Sequence, residues 1–208
     1  MSAASPALAQ AAAPHGRAAA SAPTAEPTFR IHRYPSALIQ PLTLADGRSV
    51  IVRPVLPQDA EAERAFFAAL SPASRLRRFH GVVNRLPDGA LEAMTSIDYQ
   101  RHLALVAEAR ADDAALGSTW LVADARYVVD DADSAEFALA VADDWQGRGL
   151  GRALLERLAR HARARGVRRL DGTVLADNEP MLAMLHRLGA RVRGDARDAS
   201  IVHARIEL

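Results

Sequence analysis

The chain has 208 residues, half of them hydrophobic, no cysteine and a formal net charge of +1 at pH 7. That length supports one good core rather than two, and the missing cysteines exclude disulfides, thiolate metal sites and a cysteinyl acyl-enzyme. A charge near zero argues against general nucleic-acid binding, and no apolar run approaches the roughly 20 residues of a membrane span.

Residues 1–27 are mostly Ala, Pro and Ser without apolar periodicity. Such a segment cannot offset its ordering entropy by burial, so residues 1–40 are expected to form a disordered arm ahead of a single domain over 41–208. The arm lacks the basic start and continuous apolar stretch of a signal peptide. Residues 49–54 read as a strand, and Pro57-Gln58-Asp59 opens a helix in which Ala62, Ala65, Phe66, Ala69 and Leu70 recur at helical spacing. A second helix is expected over 71–79, between Pro72 and a terminating Gly81, and a third over 86–96. Strands over 101–108, 118–129 and 135–141, separated by Asp-rich turns, suggest an antiparallel meander. The segment 150–165 places Leu150, Leu154, Leu155, Leu158 and Ala162 on one helical face. A strand over 167–175, a helix over 178–188 and strands over 190–194 and 200–206 close the chain.

Between the strand ending at Val141 and the helix starting at Leu150 lies Gln146-Gly147-Arg148-Gly149-Leu150-Gly151, followed by Arg152. Glycines let successive N–H groups approach a ligand, and the helix behind them presents unpaired donors and the positive end of its dipole. The arrangement suits a pyrophosphate, hence a nucleotide-bearing cofactor. A Walker loop needs Gly-Lys-Ser/Thr, and the chain contains no lysine. A dinucleotide fold would place the turn after the first strand, with an acid about 20 residues on; Asp171 is at that distance, but the turn comes late and follows an antiparallel stretch.

Gln146, Gly149 and Gly151 fit the Q/R-x-x-G-x-G/A pattern, and from about Arg48 to the C-terminus the order of elements resembles the GCN5-related N-acetyltransferase (GNAT) superfamily. The resemblance implies an α/β (α+β) fold with a mixed, mostly antiparallel central sheet of about six to seven strands flanked by helices. It implies acetyl-CoA as co-substrate and no metal. The cofactor would lie on Leu139, Ala140 and Val141, on Gln146, Gly147, Arg148, Gly149, Leu150, Gly151 and Arg152, and on Asn178, which also suits a helix N-cap. A backbone N–H of the strand at 139–141 would meet the thioester oxygen, freed by a local bulge that splays this strand from the next. Glu136, in Ala135-Glu136-Phe137, matches the catalytic base of family members that acetylate protein lysines. In one departure, Leu185 stands where many members carry a tyrosine that protonates the leaving thiolate, which leaves the general acid unassigned.

The stretch Ser71–Phe79 resembles bacterial protein-lysine acetyltransferases, which often carry this domain beside a regulatory or ligase-like module; the domain here is expected to act alone. A protein lysine acceptor is the leading expectation, with a small amine such as a polyamine, amino acid or antibiotic as the alternative. A catalytically silent acetyl-CoA sensor is the third. An acidic pocket would favour the small cationic amine and an open groove a protein. The expected setting is cytoplasmic, as a monomer or homodimer, without membrane or nucleic-acid partners. Without lysines the chain cannot be acetylated on its own lysine side chains.

Overall fold

The computed structural model describes residues 34–81, 83, 85–111, 118–131 and 133–208. Residues 1–33, which make up most of the expected arm, lie outside the described residues. Residues 36–38 form a 3-10 turn packed beside the first strand pair. The strands are β1 (Gln40–Thr43), β2 (Ser49–Pro54), β3 (His102–Arg110), β4 (Thr119–Val129), β5 (Ser134–Val141), β6 (Arg169–Leu175), β7 (Arg191–Gly194) and β8 (Ile201–Glu207). The helices are α1 (Ala60–Ala69), α2 (Pro72–Phe79), α3 (Asp88–Thr95), α4 (Leu150–Ala164) and α5 (Glu179–Arg187).

Among the described residues the strands form one eight-stranded sheet in the order β1-β2-β3-β4-β5-β6-β8-β7. Neighbours are antiparallel except β5 and β6, which run parallel and are joined through the α4 crossover. The mixed sheet agrees with the expected class, with one strand more than expected. The extra strand is β1: it has four residues, includes Pro41 and has no buried residue, so it lacks the alternation that marks a half-buried strand.

Side chains paired laterally across a sheet share a face, which assigns the two layers. On one face the Tyr127 hydroxyl lies 2.9 Å from His161 Nδ1 of α4. Leu150, Leu154, Leu155, Leu158 and Ala162, the stripe expected to be apolar, are the buried residues of α4. On the other face Arg126 donates to the Met94 carbonyl of α3 at 3.0 Å, and its neighbour across β5 is Ala138. Glu136, Ala138 and Ala140 therefore face α1, α2 and α3, whereas Phe137, Leu139 and Val141 face α4.

The end of α2 differs from expectation. His80, not Gly81, takes the left-handed cap, at φ 52°, with its N–H bonded to the Leu76 carbonyl. A non-glycine residue in this region costs free energy unless its surroundings hold it.

Candidate active site

β5 is paired differently on its two edges. Its register with β4 runs unbroken from Ala123↔Val141 to Val129↔Ala135, whereas with β6 it pairs only at Ser134↔Arg169, Ala135↔Leu170 and Glu136↔Asp171. Beyond Glu136 the two strands part. Among the described residues the expected bulge in β5 is absent, and an irregular register lies instead between β3 and β4 at Ala107/Glu108. Phe137 marks the fork: a Cβ on Gly172 would stand 2.5 Å from its Cε1 and Cζ, so its ring packs on β6 backbone that only glycine leaves clear. Parting the strands leaves residues 137–141 of β5 without a ladder partner on that edge.

The parted strands open into a cavity of about 490 Å³, lined by Glu136 to Val141, by Thr173 and Val174 of β6, by the glycine-rich turn and by faces of α2 and α5. Glu136 sits at one end of the exposed edge and Val141 at the other, roughly 17 Å apart at about 3.3 Å per residue. Past Val141 a 3-10 turn (Asp143–Trp145) leads into Gln146. Gly147 and Gly149 take φ 72° and 87°, and Gly149 is the cap residue of α4. Side chains at those angles are strained, which explains glycine at both places. The first-turn N–H groups of α4 have no partner four residues back and open toward the cavity. Gly151 lets α4 approach β5, since a Cβ there would lie 3.1 Å from Leu139 Cδ2.

The residues expected to bind a cofactor separate into groups. Leu139, Ala140, Val141, Gln146, Gly147, Gly149, Leu150, Gly151, Arg152 and Asn178 all line the cavity. Arg148 does not: its Nε donates to Asp46 in the β1–β2 turn at 2.5 Å and a terminal nitrogen to the Gln146 carbonyl at 2.9 Å. The Gln146 amide turns inward, donating to the Val141 carbonyl at 2.9 Å and to Ser74 at 3.2 Å. Arg152 donates to Glu156 at 2.8 Å. Asn178 Oδ1 accepts from the Met181 N–H at 3.4 Å, so it caps α5 while lining the cavity. Leu185 is fully buried, and no tyrosine is among the lining residues.

Sequence reasoning missed a buried charge cluster beneath the site. Glu63 of α1 and Asp124 and Arg126 of β4 are each 0% exposed, and Arg78 of α2 joins them from the cavity wall. Arg126 donates to both Asp124 oxygens and to Glu63 at 3.4 Å; Arg78 lies 4.0 Å from Asp124. The signal was present: Asp124 and Arg126 interrupt an otherwise apolar strand at period two, the mark of a charge pair facing inward. Burial raises the Glu63 pKa well above its ordinary value, and the Asp124 charge adds to this. Burial also acts to raise Asp124, but the charge and hydrogen bonds of Arg126 outweigh it and hold this carboxyl below its ordinary value. As a carboxylate Glu63 leaves Oε2 without a partner; protonated, it donates toward Asp124. Burial lowers Arg78 to about 10. Burial, with Arg126 nearby, lowers His102 to about 3, so its ring is neutral.

A measurable pH dependence follows. A raised carboxyl pKa contributes stability fully below the unfolded value, 4.5 for Glu, and loses it as pH climbs toward the folded value. Glu63→Gln imitates the protonated acid and has no proton to lose. Its stability relative to the parent should rise by up to about 1.4 kcal/mol per pH unit above that value, then level off. Urea denaturation at about pH 5 and about pH 7 would show this, and a difference that does not change with pH would contradict a protonated Glu63.

Comparisons with known proteins agree with this geometry. Residues 73–190 match the family described as acetyltransferase (GNAT). The chain is 35% identical over 167 residues to the acetyltransferase PA5475 of Pseudomonas aeruginosa, covering 80% of this chain and 88% of that protein. It is 38% identical over 153 residues to the acetyltransferase Pat of Mycolicibacterium smegmatis; that match covers 72% of this chain but 44% of Pat. The GNAT domain of S. lividans PAT superposes with a TM-score of 0.74 at 30% identity, over 85% of this chain and all of that domain. A family model over more than half of the chain, and a relative 35% identical over 80% of it, leave one assignment: this chain belongs to the GNAT acetyltransferase family and is an N-acetyltransferase.

Proposed function

We propose that the protein transfers acetyl from acetyl-CoA to the ε-amine of a protein lysine, by direct attack within a ternary complex. The observation that carries this reading is the fork of β5 and β6, which opens immediately after Glu136 and runs to the glycine-rich turn. The pyrophosphate lies at the α4 N-terminus, an extended arm with two amides adds to the unpaired edge of β5, and the thioester reaches toward Glu136. The acceptor nitrogen attacks the carbonyl carbon, the C–S bond breaks, and the amine proton passes to Glu136 directly or through water. The thiolate leaves as an anion and takes its proton from water, since no tyrosine lines the cavity.

Charge favours a lysine in a protein over a polyamine. On the acceptor side the cations Arg77 and Arg78 line the cavity opposite the single carboxylate of Glu136. A molecule with several positive charges is repelled there, whereas a lysine flanked by acidic residues is not.

Calorimetry with acetyl-CoA tests the cofactor part. Gly149→Asp puts a side chain at φ 87° and a negative charge where the phosphates are expected. The parent should bind, and the variant should bind at least about 100-fold more weakly, from strain and like-charge repulsion together. A folded parent that does not bind acetyl-CoA would end the proposal.

A further inference from the structure

α2 is an unusual wall for a binding site, because neither of its buried residues is apolar: they are Ser74 and Arg78. Leu76 is 42% exposed. A helix of eight residues is not stable by itself, so tertiary tethers decide where it sits. The tether at its N-terminal end is the turn leading into the phosphate loop. Asp143 accepts from the Ser71 N–H at 2.9 Å, from the Ser71 hydroxyl at 2.7 Å and from the Ser74 hydroxyl at 2.8 Å. The Ser74 hydroxyl in turn accepts from the Gln146 amide at 3.2 Å, and that same amide also holds the Val141 carbonyl. Ser74 is therefore the point where the end of β5, the cofactor turn and α2 meet. Four residues further along, α2 presents Arg78 to the cavity on the face that Glu136 shares.

We propose that Ser74 is a positioning residue that couples occupation of the cofactor turn to the placement of α2, so that the acceptor wall is set after the acyl donor binds. This rests on the reading under Proposed function. A ligand seated on residues 146–149 holds Gln146 and, through the turn, Asp143 in the hydrogen bonds that fix the Ser74 hydroxyl and with it the register of α2 over the cavity. The coupling is reciprocal: an acceptor pressing on α2 strengthens donor binding by the same factor. Nothing in the scheme requires Ser74 to touch either substrate's reacting atoms.

Tryptic cleavage after Arg75, Arg77 and Arg78 reads the state of α2 without any acceptor, with CoA as the probe and calorimetry as the parallel binding measurement. In the parent, saturating CoA should slow cleavage within α2 by about 5- to 150-fold, the usual range of coupling between sites. In Ser74→Ala, CoA should still bind within about threefold of the parent while its protection of α2 falls below about twofold; Ser74→Thr, which keeps the hydroxyl, should restore protection. Thermal melts confirm that each variant is folded. Equal protection in parent and Ser74→Ala overturns the proposal, as does binding and protection lost together, which would make Ser74 only a support for the turn. Absence of protection in a parent that binds CoA overturns it too. A parent that does not bind CoA is the separate result that removes the cofactor reading itself, and the coupling with it.

Discussion

Glu136→Gln is expected to lower kcat/KM for acetyl transfer by about 10²- to 10⁴-fold, the usual contribution of a positioned general base, while binding of acetyl-CoA should stay within about threefold. The reason for this separation is the layout of β5. Glu136 forms the last pair with β6, at Asp171, whereas the glycine-rich turn, the proposed cofactor site, follows the opposite end of the same strand. Glutamine keeps the shape and hydrogen-bonding capacity of the side chain but cannot take a proton from the attacking amine. Binding by calorimetry and turnover by thiol release, measured on the same preparations, separate the two effects. Unchanged turnover would remove Glu136 as the base. A loss of binding equal to the loss of rate would make it a structural residue of the fork.

Arg126→Met destabilises the fold by about 3–5 kcal/mol, the cost of leaving a buried carboxylate without its partner. Asp124 is fully buried and, once Arg126 is gone, keeps only one cation, Arg78 at 4.0 Å, beside the neutral Glu63. Arg126 also bonds the Met94 carbonyl of α3 and one oxygen of Glu63. Its loss therefore strands groups on a strand and two helices. For a chain of this size each kcal/mol moves Tm by about 2–4 °C, so a fall of roughly 6–20 °C is expected. Removing Asp124 as well, as Asp124→Asn with Arg126→Met, should cost clearly less than the sum of the single changes, because the second substitution takes away the charge that the first left exposed to the core. Additive single and double effects would show that the two residues are not acting as a pair.

The positioning of β5 thus depends on two kinds of support. Apolar packing of α4 through Leu150, Leu154, Leu155 and Leu158 holds one face of the sheet. The other face rests partly on charge: Glu63, Asp124, Arg126 and Arg78 link α1, α2 and β4 behind Glu136. Buried ionic clusters are weak sources of net stability, but they are demanding about geometry. This gives a physical reason for placing one beneath the strand that carries Glu136.

Periodicity and punctuation by themselves determined much of this protein. Among the described residues, the five α-helices, seven of the eight strands and the apolar stripe of α4 were legible, because amphipathic spacing and Pro or Gly boundaries are local properties of the chain. So was the glycine-rich turn at residues 146–151, whose backbone demands leave a direct mark on residue choice. β1 was not legible, since an exposed four-residue edge strand is held by its partner rather than by its own pattern. Only the tertiary structure decided where β5 and β6 part, for strand pairing joins segments more than thirty residues apart and Phe137 finds Gly172 only after folding. It also decided that Arg148 turns to Asp46 and Gln146 to Ser74. The motif specifies a backbone shape, but a long polar side chain takes whichever partner the folded neighbourhood brings within about 3 Å.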